Sequence, residues 1–313
     1  MKNMVIKRII EFSQWFRIAL MLVLIVALGA MVVACDDDGE DKQNKKPGIV
    51  VTLLPQAEFT EKIGGDKVEV TVMVPPGANV HTYEPTPSQM IALAKAELYA
   101  KVGSGIEFEL AWMDKLVDQN KDMLVVDCSK EITLIEMSAP HEHEDEGDHN
   151  QEGMDPHIWM SPRNAMMMVE NICDGLVQVD PTNKSYYESN RDAYLEELSQ
   201  LDRDIKDGLA SITNRVFMVY HPAFGYFAHE YELKMLPIEE EGKEPTAKGL
   251  TLLINEAKEH NIKVIFAEPQ FDPKSADVIA DEINGTVILI DPLSKDYTVN
   301  MRSILSEMVK AME

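Results

Sequence analysis

Basic residues are scarce in this chain: 29 Lys and Arg stand against 54 Asp and Glu over 313 residues, a formal net charge of −25. A field of that sign repels a phosphate backbone and so excludes nucleic acid as a partner. It draws small cations instead. Cysteine is scarcer still, with three residues at 35, 128 and 173 and no C-x-x-C pair. Neither a thiolate metal site nor thioredoxin-like redox chemistry therefore has a basis in the sequence. Cys128 and Cys173 remain open between buried thiols and one disulfide, which an oxidising compartment permits. Also missing is H-E-x-x-H, the helical spacing by which a metallohydrolase presents two imidazoles and a carboxylate base. Neither His141-Glu142-His143 nor His229-Glu230-Tyr231 has that spacing. Long apolar runs are reduced to one, Ile18 to Val33, short for a bilayer span. With 45% hydrophobic and 27% charged residues, the composition is otherwise that of a globular protein.

The apolar run follows Lys2, Lys7, Arg8 and Arg17 and ends in Val32-Val33-Ala34-Cys35. Basic residues ahead of a short apolar segment read as an export signal, residues 1–34. The terminal tetrapeptide resembles the lipobox of bacterial lipoproteins, which implies cleavage before Cys35 and a diacylglycerol on its sulfur. Residues 35–313 would carry 25 basic and 53 acidic side chains, a net −28. Asp36 to Pro47 (DDDGEDKQNKKP) reads as a flexible tether, roughly 20 Å in r.m.s. span. The protein is expected in the cell envelope, periplasmic or on the outer surface, held to a membrane by lipid.

From Gly48 on, short apolar runs alternate with amphipathic stretches. Strands are predicted at Ile49 to Leu54, Val68 to Val74, Leu98 to Val102 and Met123 to Cys128, with helices at Gln56 to Ile63, Pro87 to Ala96 and Glu107 to Gln119. A second series has strands at Val216 to Tyr220, Lys234 to Ile238, Val264 to Ala267 and Val287 to Ile290. Its helices are Ala223 to Tyr231, Thr246 to His260, Lys274 to Ile283 and about Val299 to Met312. The fold class is α/β: two lobes, each a four-stranded parallel sheet flanked by helices. Between the series lie two helices and no strand, about Arg163 to Val179 and Lys184 to Ala210. The second has no Gly or Pro between Asn183 and Asp207, so a rigid strut about 40 Å long is predicted rather than a hinge. The expected division is an N-terminal lobe over 48–182, a linking helix over 183–211 and a C-terminal lobe over 212–313.

Eight histidines are present, and three stand out by position. His81 follows the second strand in PPGANVHTYEPTP, His157 lies in MDPHIWMSP, and His221 directly follows a strand in YHPAFGYFAHEYEL. Asp291 likewise ends a strand. Ligands of open α/β sheets sit beyond the carboxyl ends of the strands, where at least three of these four are placed. Three imidazoles and a carboxylate suit a four-coordinate zinc ion, and manganese is also accommodated. Glu268, at the end of another strand, is a candidate acceptor behind a ligand imidazole. His229 and His260 lie in helical stretches among charged residues and read as surface histidines. Met166-Met167-Met168 reads as helix core.

These motifs, together with EEEGKEPTAKGL, FAEPQF and the Ile290-Asp291 pair, resemble the metal-binding lipoproteins of bacterial zinc and manganese ABC importers, from about Gly48 to Glu313. The resemblance implies a non-enzymatic solute-binding protein with His81, His157, His221 and Asp291 as ligands. It also implies two lobes joined by one long helix, and a permease with its ATPase as partners; a monomer is expected. His at position 221 and an acidic loop over 138–153, with His141, His143 and His149, resemble zinc-type members. The loop is a candidate secondary metal site, against the alternative of a solvated acidic segment. The competing readings are a manganese-specific member of the family, a zinc-dependent hydrolase, and an adhesin.

Overall fold

The computed structural model describes residues 46–137, 153–239, 242–272 and 274–312. The signal, Cys35, most of the tether, and His141, His143 and His149 lie outside the described residues. From Lys46 on, the chain forms one compact unit.

Eight strands form two four-stranded, wholly parallel sheets. The first comprises β1 (Gly48–Val51), β2 (Glu69–Val72), β3 (Leu98–Lys101) and β4 (Leu124–Asp127) in the spatial order β2-β1-β3-β4. The second repeats the pattern with β5 (Val216–Val219), β6 (Lys234–Pro237), β7 (Val264–Ala267) and β8 (Thr286–Leu289), ordered β6-β5-β7-β8. The central strands are Val- and Ile-rich and buried, as strands covered on both faces must be.

Nine α-helices are described: α1 (Leu54–Gly64), α2 (Pro87–Leu93), α3 (Glu107–Gln119), α4 (Pro162–Val179), α5 (Lys184–Leu209), α6 (Gly225–Glu230), α7 (Ala247–Glu259), α8 (Lys274–Ile283) and α9 (Tyr297–Met312). Several starts are written in local chemistry. Ser161 caps α4 through the Asn164 amide with Pro162 at its first position, and Thr246 caps α7 through Gly249. Strand β1 stops at Val51, short of the predicted Leu54, because Leu54-Pro55 opens α1, where the missing proline N–H costs nothing.

The predicted strut is α5, 26 residues and about 39 Å long. Tyr187, Tyr194, Leu198, Leu201, Ile205 and Leu209 form its buried stripe. These side chains join the first sheet, α1, α4 and α9 in a single hydrophobic core. A second, smaller core under α7 and α8 contains Met218, Ile265, Leu253 and Ile279. Cys128 and Cys173 are both buried and unpaired, which settles the open choice for thiols. Burial raises both, Cys173 to about 11.

The chain after β8 turns back across the first half of the molecule. The Trp159 indole N–H donates to the Pro292 carbonyl at 2.8 Å, and the Tyr297 hydroxyl donates to the Trp159 carbonyl at 2.7 Å. Glu58 on α1 accepts from the Tyr194 hydroxyl of α5 (2.7 Å) and from the Tyr297 amide (2.6 Å).

Candidate metal centre

The carboxyl ends of both sheets supply the site. His81 lies beyond β2, and His221 comes two residues after Val219 of β5. His157 has no strand of its own. It sits after the isolated antiparallel bridge between Glu136 and Met154, at the entry to a 3-10 turn over Ile158–Met160. His157 and His221 are buried; the side chain of His81 is 19% exposed and forms the solvent side.

The three imidazoles converge. Nε2 of His221 lies 3.2 Å from Nε2 of His81 and 3.2 Å from Nε2 of His157, and the three ligating atoms fall within 4.8 Å of one another. A tetrahedral zinc ion with bonds near 2.0–2.1 Å separates its ligands by about 3.3 Å. The two spacings from His221 match that separation, so the three rings fit a coordination shell.

Hydrogen bonding on the far side of each ring supports the same conclusion. Nδ1 of His81 faces Glu107 Oε2 at 2.6 Å, Nδ1 of His157 faces Asp155 Oδ1 at 2.8 Å, and Nδ1 of His221 faces Glu239 at 3.3 Å. A carboxylate at Nδ1 places the proton there and leaves the Nε2 lone pair free. Three lone pairs directed at one another repel unless a cation lies between them. Burial, reinforced by the two neighbouring imidazoles, holds His221 down at about 4 against the opposing pull of Glu239, so its ring is neutral at pH 7. Burial raises the Glu107 carboxyl, but its hydrogen bond to His81 opposes this and the net value is lowered.

Asp155 accepts from both the amide (2.9 Å) and Nδ1 of His157. It fits because residue 225 is glycine: a Cβ there would lie 2.0 Å from Asp155 Oδ2. Phe271 stacks on His221, with ring centroids 4.6 Å apart and 21° between planes, and shields the cluster on that side.

Two expectations meet a different geometry. Asp291 stands outside the histidine group. Its Oδ1 accepts from the Leu293 amide (2.9 Å), closing a turn after the edge strand β8, and from Gln270 Nε2 (2.7 Å). Glu268 is fully buried but bonds the backbone N–H of His221 (3.1 Å) rather than an imidazole. Burial, with Glu239 and Asp291 nearby, raises its carboxyl well above the usual range. The acceptors behind the rings are instead Glu107, Asp155 and Glu239, which sequence reasoning passed over. The Asp155-x-His157 spacing was a usable signal, whereas Glu107 and Glu239 depend on tertiary contacts. His229 is exposed and His260 partly so, and neither joins a metal-binding group among the described residues.

Residues 49–311 match the family model of the zinc-uptake complex component A, periplasmic. The chain belongs to this family. It is 35% identical over 281 residues to the high-affinity zinc uptake system protein ZnuA of Bacillus subtilis (strain 168), covering 87% of this chain and 88% of that one. It is 30% identical over 251 residues to the manganese-binding lipoprotein MntA of Halalkalibacterium halodurans, covering 79% of each. A crystal structure of ZnuA superposes with a TM-score of 0.80 at 40% identity, over 86% of this chain and 100% of that chain. Members of the zinc-uptake component A family are the substrate-binding parts of ABC importers, so the chain is a metal-binding and delivery protein with permease and ATPase partners, not an enzyme. The family assignment does not favour the hydrolase and adhesin readings.

Proposed function

We propose that the chain captures zinc outside the cytoplasm on His81, His157 and His221, takes Asp291 as fourth ligand, and passes the ion to its permease. The observation that carries this reading is the convergence of three imidazoles, with His221 Nε2 3.2 Å from Nε2 of both His81 and His157 and each ring backed by a carboxylate. Borderline nitrogen donors favour zinc over manganese by the usual order of divalent affinities. Manganese remains a weaker cargo, as the likeness to MntA suggests. Cys35 carries the lipid that tethers the monomeric protein to a membrane, and Glu268 supports the site through the His221 backbone. His141, His143 and His149 collect zinc weakly in the acidic loop and hand it on. Release follows from a small tilt of one sheet against the other, which distorts the shell, because the strut α5 is stiff.

The test is calorimetric titration of chelator-stripped residues 36–313 with zinc and manganese. Single His81→Ala, His157→Ala and His221→Ala variants are each expected to lose at least about a hundredfold in zinc affinity, beyond the range for outer-shell changes. A tight site indifferent to these histidines would overturn the proposal.

A further inference from the structure

We infer that Gln270 is a positioning residue for metal capture: its carboxamide holds the Asp291 carboxylate off the three histidines and yields it when the ion arrives. The inference rests on the proposed four-ligand site and deepens it.

Asp291 is prevented from joining the cluster by two donors on a single oxygen. The Leu293 amide at 2.9 Å is part of the turn, and the Asn300 side chain pins the Asp291 carbonyl at 2.7 Å, so the backbone is set. The remaining restraint belongs to a side chain, the Gln270 Nε2 contact at 2.7 Å. Gln270 itself lines the cavity with His81, His157 and His221, as do Pro292 and Leu293 immediately after Asp291. The carboxylate is therefore beside the site without being in it. The other end of the carboxamide is in an unfavourable state: Gln270 Oε1 is buried with no hydrogen-bond partner. A flip of the amide does not cure this, since it would turn an oxygen toward the Asp291 carboxylate. Gln270 thus makes one good bond at the cost of a buried, unsatisfied acceptor. A contact so arranged exchanges readily for a carboxylate–metal bond.

Capture is then an exchange in which the Gln270 bond breaks as Asp291 Oδ1 or Oδ2 closes the tetrahedron opposite the three Nε2 atoms. Delivery runs the other way, with Gln270 taking the carboxylate back and lowering the ion to three protein ligands. The bond opposes zinc binding, so removing it must raise affinity, whereas removing an ordinary structural contact lowers it.

The experiment is a double-mutant cycle with Gln270→Met, which keeps the length and loses the donor, and Asp291→Asn. Zinc affinity is read by chelator competition, and the coordination number by the visible spectrum of the cobalt(II) complex. Gln270→Met is expected to bind zinc roughly tenfold tighter, as for a hydrogen bond to a charged group. Its cobalt spectrum should be the strong four-coordinate band of the parent. Asp291→Asn is expected to bind more weakly with an altered band, and Gln270→Met in the Asp291→Asn background to change nothing further. Unchanged or weaker binding by Gln270→Met, or a gain that persists without Asp291, would overturn the inference. Tight binding that survives loss of the histidines would instead overturn the site itself. In the parent protein, the side-chain amide resonance of Gln270 should shift on zinc addition; a resonance that stays in place would also refute the exchange, whatever the stability of the variants.

Discussion

At the scale of single residues, burial makes neutral imidazole the stable form of His221. His221 titrates near 4 in the folded protein against about 6.5 in the unfolded chain. Below pH 6.5 the unfolded state binds a proton that the folded state refuses, so this residue erodes stability as pH falls from 6.5 toward 4 and costs nothing above that window. At pH 5 the loss is about 2 kcal/mol. Urea unfolding of the metal-free protein at pH 7 and pH 5 should show a smaller drop for His221→Gln than for the parent. The neighbouring constraint is steric. Gly225→Ala would drive Asp155 off His157, and zinc affinity should fall about 10- to 100-fold by calorimetry, the range expected when the partner behind a ligand imidazole is lost. The three histidines that converge were legible in the sequence from their positions after strands or beside a motif. Glu107 and Glu239 were not: each approaches its ring from a different element, 26 and 18 residues away along the chain.

At the scale of elements, the strut and the segment leading into α9 determine how the two sheets are held. Both predicted ends of the long helix fall within a residue of α5, because a continuous apolar stripe without Gly or Pro allows little else. Shorter elements drifted more: α6 covers only Gly225–Glu230 where Ala223 to Tyr231 was expected, since the chain before it is taken up by the turn in which the Ala223 amide donates to the His221 carbonyl. The Glu58 junction ties α1, α5 and the start of α9 together. Tyr194→Phe removes one of its two donors and keeps the ring packed against Phe59. Loss of a hydrogen bond to a carboxylate should cost about 1.5–3 kcal/mol in urea unfolding while zinc affinity is unchanged. A parallel drop in affinity would show instead that the junction sets ligand geometry.

At the scale of the whole molecule, the net charge is a kinetic device. A strongly negative exterior raises the local concentration of a divalent cation and speeds its approach. Stopped-flow zinc association should slow several-fold between about 10 mM and 0.5 M salt, as screening shortens the reach of that field. Dissociation, governed by buried ligands, should barely change. Among the described residues no helix is long and apolar enough to cross a membrane.

Local and periodic properties were settled by sequence alone: two β-α-β series, a stiff helix between them, the sign of the field, and the two imidazoles, His81 and His221, that follow strands. Each depends on interactions within a short window or on summed charge, which tertiary context does not reverse. The position of Asp291 and the identities of Glu107 and Glu239 as partners of two of the rings were decided only by the tertiary structure. The reason is geometric. Where a side chain sits depends on the competing donors that packing brings within 3 Å, and Gln270, 21 residues from Asp291, is such a donor.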